Sequence, residues 1–568
     1  MQTAEATAGQ RIIRGGGAEG RRVLDEARGH TLWQALGGIA AQYPDKVALV
    51  GADDAGEVHR LTYAELVRRI EDLSIGLAIT GVRRGDRVVL WMTNSVDWVV
   101  AAQAAMRLGA AVVPVNTFLK PAEIRYIVAQ SGARHLIMLD RFRKLDFPAM
   151  LADVSPPFAS ASQPGNLLDP DLPDLRHVLM LSRSGRRHPG CHDLATIEAT
   201  GRGDTGMWRG IAEQMAGAVL PSDLAMVKYT SGSTGFPKGV MLEQGGMVAS
   251  GKIHAARVDA GRDTVFFSMM PFFHGGGSIW GQMTTLMNGG RLVFTEAFDP
   301  ELAVRLIDAE QPTIMFGVLA GEVIEIARAQ GKVFPSLRTG HVPGEDGRAV
   351  FPNVDFNIMP FGLTETYGPA AATSRRDPPG KEGSSGTLLD GNELRVVDPE
   401  TLQDVAPGET GEAWLRGNVM KGYWNKPEEN ARRFTEDGWL RSEDLIAVDA
   451  DGYIRYVGRI KLMLKVGGEN VSIEEVESVV ESHEAVAECG AVGVPDPRRQ
   501  EVVRIYLTRR KGCALGEADL RGWLEQRLAR FKQPRDILFV DTLPHLANGK
   551  KDRVTLQRMA DGDGDGAR

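Results

Sequence analysis

At 568 residues, with 43% hydrophobic and 25% charged side chains, the chain has an ordinary globular composition and is too long for one domain, which suggests roughly three to four units. A net charge of −8 and a pI near 5.9 disfavour nucleic acid or an anionic membrane surface as the main partner. The three cysteines, Cys191, Cys489 and Cys513, are few, odd in number and widely spaced, so neither a disulfide framework nor a metal knuckle is expected. That usage points to a reducing, cytoplasmic compartment.

Residues 1–30 hold glycines and both charge signs but no apolar leader, and are expected to form a flexible arm. Leu32, Leu36, Ile39 and Tyr43 repeat at helical spacing, and Val47 to Val50 reads as a strand. Thr62 with Glu65 makes a capping box and opens a helix to about Ala78. Strands at 87–92, 111–115 and 135–139 then alternate with helices at 96–108 and 121–130. The apolar stretch Val99–Val115 is broken by Gln103, Arg107 and Pro114, so it predicts a buried helix and strand rather than a membrane span. Alternation at this spacing predicts an α/β fold with a doubly wound parallel sheet. Residues 141–220 carry Pro156-Pro157, a Ser/Ala run and the stretch Arg183–Gly190, and are expected to be a loop-rich surface excursion.

The most informative stretch is Tyr229-Thr-Ser-Gly-Ser-Thr-Gly-Phe-Pro-Lys238-Gly-Val240. It sets Thr230, Ser231, Gly232, Ser233, Thr234, Gly235 and Lys238 between two strand-like apolar runs. Glycine allows close backbone approach, successive N–H groups can form an anion nest, hydroxyls donate, and the lysine adds a point charge. A polyphosphate is the obvious ligand. A Walker A loop would need Gly-Lys followed by Ser or Thr at the start of a helix, whereas Lys238 follows Pro237 and precedes Gly239.

This stretch resembles the phosphate loop of the AMP-forming adenylating enzymes, the superfamily of acyl- and aryl-CoA synthetases, adenylation domains and luciferases. Further motifs resemble that family in the same order, over roughly residues 31–557. The resemblance implies a large N-terminal domain (31–460) of doubly wound sheets plus small barrel-like elements. A small, mobile α+β C-terminal domain (461–557) follows, hinged at Lys461, and 558–568 form a disordered tail. It implies ATP, Mg²⁺ and CoA as cofactors, a small-molecule carboxylic acid of hydrophobic type (fatty, alicyclic or aromatic) as substrate, and a monomer or homodimer.

Residue by residue, the resemblance places Phe361 and Gly362 near the adenine, Thr364 at the phosphates, and Mg²⁺ on Glu365 and Thr230. Asp444 would accept from the ribose hydroxyls, with Arg459 on the same nucleotide. The segment Phe272-Phe-His274-Gly275-Gly276, together with Phe316, Gly317 and Leu363, would wall an apolar acid pocket. Lys550 would stabilise charge on the α-phosphate. Lys465, with Gly467 and Gly468, would serve thiol transfer on an opposite face, so the small domain would dock alternately.

Two half-reactions follow from the resemblance. A carboxylate attacks ATP to give acyl-AMP, and CoA then displaces AMP. Loading of a carrier-protein thiol is one alternative, and non-catalytic adenylate binding is another. The chain departs from the family pattern at Glu243-Gln244, at Leu462, and in the stretch from Gly344 to Phe361, which is several residues short.

Overall fold

The computed structural model describes the chain except residues 1–2, 8–9, 231–236, 318–319, 343, 467–468, 497–498, 529, 547–548 and 563–568, and leaves out the side chains of 3–7, 10, 461, 465, 469 and 470. The chain forms two units: Met1–Glu5, Ile12–Leu394 and Leu415–Leu440 make the first, and Ala6–Arg11, Arg395–Trp414 and Arg441–Arg568 the second.

The apolar runs of the first unit become strands buried on both faces. One sheet runs Cys191–Asp193, His177–Leu181, His135–Leu139, Arg87–Trp91, Ala111–Pro114, Leu224–Thr230, Lys238–Glu243, Gly422–Tyr423. Its first six strands are parallel and the last two pairings are antiparallel. A second sheet runs Phe356–Asn357, Thr339–Gly340, Ile314–Phe316, Val265–Ser268, Arg291–Thr295, Val47–Ala52, Val58–Thr62, and is parallel except at the final pair. Parallel neighbours need crossover connections, here helices that cover the sheets. The shortened stretch after Gly344 still supplies a helix, Gly344–Val350, and the edge strand Phe356–Asn357.

Caps fix where helices begin. Thr62 Oγ1 accepts from the Glu65 N–H at 3.2 Å while Glu65 Oε2 accepts from the Thr62 N–H at 2.8 Å, the reciprocal pair expected of a capping box. The helix Val96–Arg107 is buried on every side. Its buried Arg107 bonds Ser74 Oγ at 2.9 Å and Glu213 at 2.5 Å, and its guanidinium lies over the Trp33 ring, 4.6 Å from the centroid. Among the described residues no helix is long and apolar enough to cross a membrane.

Two expectations are corrected in this unit. Residues 1–30 are not an unstructured arm, because Gly17–Arg28 is a helix whose Leu24 and Ala27 pack on Ala249. Its last residue, Arg28, bonds Glu243 Oε2 at 2.8 Å, which gives the unusual glutamate at 243 a partner. Nor is 141–220 a plain excursion, since His177–Leu181 and Cys191–Asp193 extend the first sheet.

In the second unit, Leu440–Val448 pairs antiparallel with Ile454–Arg459. A further sheet runs Glu469–Ser472, Met463–Val466, Gln500–Arg509, Val486–Asp496, with Asp536–Phe539 parallel to Gln500–Arg509. Ser472 caps the helix Ile473–Glu481, accepting from the Glu475 N–H at 3.2 Å. The division falls upstream of the expected 460/461 boundary, because the strand Ile454–Arg459 packs with this unit: Tyr456 donates to Glu474 Oε2 at 2.9 Å. The helix Arg553–Gly562 also continues past 558, where a disordered tail was expected; residues 563–568 lie outside the described residues.

Candidate active site

The hairpin Leu224–Thr230 and Lys238–Glu243 places Thr230 directly opposite Lys238. Ser231, Gly232, Ser233, Thr234 and Gly235 lie outside the described residues. The chain leaves this loop as a strand, not the helix a Walker A loop requires. Lys238 is buried; its Nζ bonds Glu429 on the helix Pro427–Arg433 and lies 5.4 Å from the Tyr423 ring centroid. Burial works against the Glu429 charge, but hydrogen bonds from Arg432 and Lys238 hold its carboxyl below the ordinary value.

Tyr423 joins this corner to the expected metal carboxylate. Its strand pairs with the hairpin, Val240 opposite Tyr423, and its hydroxyl donates to Glu365 Oε1 at 2.8 Å. Burial, followed by the Glu365 charge, pushes the Tyr423 phenol well up, so it stays a donor. The Met420 N–H also bonds the Glu365 carbonyl at 2.7 Å.

Glu365 sits in the tight turn Thr364–Thr366, followed by Tyr367 at φ 55°, a strained conformation for a bulky residue. The helix Gln244–Arg257 and the residue before it hold that strain. The Glu243 N–H donates to Tyr367 Oη at 2.8 Å, Ser250 Oγ donates to the Tyr367 carbonyl at 2.8 Å, and His254 Nε2 bonds the Pro369 carbonyl at 2.9 Å. Phe361 is buried, and a Cβ on Gly362 would lie 2.2 Å from the Gly368 carbonyl, so that glycine is required by backbone packing.

Glu365 is 8% exposed and makes no ion pair among the described residues. A carboxylate with one oxygen on a phenol and no cationic partner fits a hard cation such as Mg²⁺.

Across from this turn stands the proposed pocket wall. Among the described residues, a Cβ on Gly275 would meet Ile279 Cδ1 and Thr364 Oγ1 at ordinary contact distance, 3.9 Å each, so this glycine leaves room for a methyl group beside the residue before Glu365. Gly276 faces Met270, and Gly317 is required by Met269, whose Cβ would lie 2.6 Å from an added methyl. Phe316 packs on Trp280 with centroids 3.9 Å apart. His274 and Leu363 are half-buried beside these residues in sequence. Phe272 is not part of a pocket: it is fully buried between Trp98 and Phe294. One residue escaped the sequence reading. Lys228, buried in the strand Leu224–Thr230, bonds the Phe273 carbonyl and Ser278 Oγ at 2.8 and 2.9 Å. Its signal was a lysine inside an otherwise apolar run.

In the second unit, Asp444 and Arg459 are directly opposed across two strands, and Arg459 Nε donates to Asp444 Oδ1 at 2.8 Å. The two expected nucleotide contacts thus hold each other in place. Lys461 lies in the turn Ile460–Leu462 and Lys465 in the strand Met463–Val466; their side chains, and Gly467 and Gly468, lie outside the described residues. Of the two adjacent lysines near the C-terminus, Lys551 is committed to structure, bonding Glu477 at 3.0 Å and Glu481 at 2.7 Å. Lys550 is the exposed one.

Residues 38–424 match the family of AMP-binding enzymes, and 475–550 match the C-terminal domain of those enzymes. The chain belongs to the AMP-binding enzyme family. This family member is 29% identical to a putative acyl-CoA synthetase, YngI, of Bacillus subtilis, over 93% of this chain and 96% of that protein. It is 31% identical to feruloyl-CoA synthase of an Amycolatopsis species, over 86% of this chain and 92% of that one. Among solved structures, the anthranilate CoA ligase AuaEII in complex with anthranoyl-AMP superposes with a TM-score of 0.78 at 25% identity, covering 94% of this chain and 97% of that one.

Proposed function

We propose that this AMP-binding enzyme is an ATP-dependent, AMP-forming acid–CoA ligase for a hydrophobic carboxylic acid, whether fatty, alicyclic or aromatic. The observation that carries the reading is that Gly275, which has no side chain, faces Thr364, the residue before Glu365. An acid lying against this glycine face would present its carboxylate to the phosphate corner. The feruloyl-CoA synthase and the anthranilate CoA ligase bear names with aromatic acyl groups, which supports an apolar acid.

In the first half-reaction a carboxylate oxygen attacks the α-phosphorus, the bond to the β-phosphate oxygen breaks, and pyrophosphate leaves. The loop 230–238 binds the phosphates and Lys550 stabilises charge at phosphorus. Glu365, oriented by Tyr423, and Thr230 would hold Mg²⁺, which when bound neutralises polyphosphate charge. Asp444, fixed by Arg459, accepts from the ribose hydroxyls. In the second half-reaction the CoA thiolate attacks the acyl carbon, the bond to AMP oxygen breaks, and AMP leaves; Lys465, Gly467 and Gly468 serve this step.

The adenylate is tested by incubating the protein with ATP, Mg²⁺ and an acid panel without CoA. Acyl-AMP and pyrophosphate in equal amounts are expected. ADP and phosphate as products would overturn the reading.

A further inference from the structure

We propose that Lys228 is a positioning residue for the acid site, locking the turn that carries His274 and Gly275 to the strand that leads into the phosphate loop. What the turn serves rests on the ligase reading; the brace itself does not.

Lys228 lies two residues before Thr230 and, by the period of a strand, on the same face. It is 3% exposed. Its Nζ donates to the Phe273 carbonyl at 2.8 Å and to Ser278 Oγ at 2.9 Å, while Ser278 Oγ gives its own proton to the His274 carbonyl at 3.0 Å. The two anchors flank residues 274–277, so one amine closes the turn from both sides. Three consecutive glycines, Gly275, Gly276 and Gly277, leave that turn with almost no side chains of its own to fix it.

The chemistry of the position is unusual. Lys228 makes no ion pair among the described residues, and burial brings its amine down to about 7. Burying an amine without a carboxylate is unfavourable, and an apolar side chain would fill the strand position without that penalty. What Lys228 adds is the pair of bonds to neutral acceptors. They tie the pocket wall to the same hairpin that grips the phosphates.

Hydrogen exchange on the full-length protein, paired with steady-state kinetics, tests this. In Lys228→Met the amides of 273–281 are expected to exchange about tenfold faster, with those of 265–268 and 291–295 unchanged. KM for the acid should rise about tenfold while KM for ATP stays within about twofold. Lys228→Gln, which keeps a donor, should recover part of the acid KM. Ser278→Ala should shift both readouts less, in the same direction, and add nothing to Lys228→Met, because both remove one brace. If Lys228→Met does not fold, Lys228→Gln and Ser278→Ala carry the same comparison. Unchanged exchange at 273–281, equal rises in both KM values, or additive effects would overturn the proposal. If no acid supports pyrophosphate release in the wild-type protein, the ligase reading fails, and the exchange data still decide the brace.

Discussion

The Tyr423 hydroxyl donates to Glu365 Oε1 at 2.8 Å, while the ring of the same residue lies 5.4 Å from Lys238 Nζ. One side chain therefore organises both the loop lysine and the carboxylate suited to a metal. Removing the phenol oxygen takes away a charge-assisted bond worth about 1.5–3 kcal/mol. Tyr423→Phe is expected to lower kcat/KM for pyrophosphate release about tenfold and to weaken apparent Mg²⁺ affinity, as read from a Mg²⁺ titration. An unchanged Mg²⁺ dependence would contradict the assignment.

Glu365 has no other polar side-chain partner among the described residues, so replacing it isolates the metal role from the fold. Glu365→Gln should reduce kcat for adenylate formation about a hundredfold or more, with Tm nearly unchanged. A large drop in Tm with residual activity intact would point to a structural role instead.

The two lysines of the second unit are separable by half-reaction. Lys550→Ala should abolish adenylate formation but spare thioester formation from supplied acyl-AMP, and Lys465→Ala should do the reverse. Single-turnover assays of each step check this; equal losses in both steps for both variants would exclude the division of labour.

Gly275 predicts selectivity. An added methyl meets Ile279 and Thr364 only at ordinary contact distance, 3.9 Å, so Gly275→Ala should be tolerated. Gly275→Val adds bulk beyond that contact, and KM for bulky acids should rise about tenfold relative to short ones, the scale of a methylene-sized change in an apolar pocket. Equal effects across an acid panel would move the pocket elsewhere.

Much of this site is legible in the sequence because its motifs are local and their order is collinear. The capping boxes at Thr62–Glu65 and Ser472–Glu475 work the same way, since each cap acts over three residues; the first is reciprocal and the second retains the serine bond. What escaped depends on distant partners. The helix Gly17–Arg28 buries only Leu24 and Ala27 beside a glycine, among many charges, too weak a pattern to distinguish from an arm. The strands at 177–181 and 191–193 are short and sit among loop residues, so their place in the sheet shows only in register with His135–Leu139. Phe272 and Phe316 look alike as aromatics, yet one is core and the other packs beside the glycine turn. Lys238 pairs with Glu429, a partner no local window contains.

Acid stability offers a check on the first sheet. His135 and His177 stack 4.6 Å apart, and His177 Nδ1 lies 3.2 Å from His192 Nε2. Burial, then the neighbouring His177, lowers His135 to about 3; burial, then His192, lowers His177 to about 4. Arg134 and Arg176 add to the His177 shift. The folded values lie below the unfolded value of about 6.5, so the unfolded chain binds more protons. Stability is full above about pH 6.5 and is lost as pH falls toward 4. Tm measured from pH 8 down should fall less steeply in His135→Leu than in wild type; parallel curves would contradict the argument.

The most direct test of the central claim is product analysis with ATP, Mg²⁺, CoA and a panel of fatty, alicyclic and aromatic acids, with purified carrier protein as an alternative acceptor. The account predicts AMP, pyrophosphate and an acyl-CoA thioester in one-to-one-to-one proportion for at least one hydrophobic acid. Tight ATP binding without turnover for any acid, or acyl transfer to carrier protein but never to CoA, would contradict it.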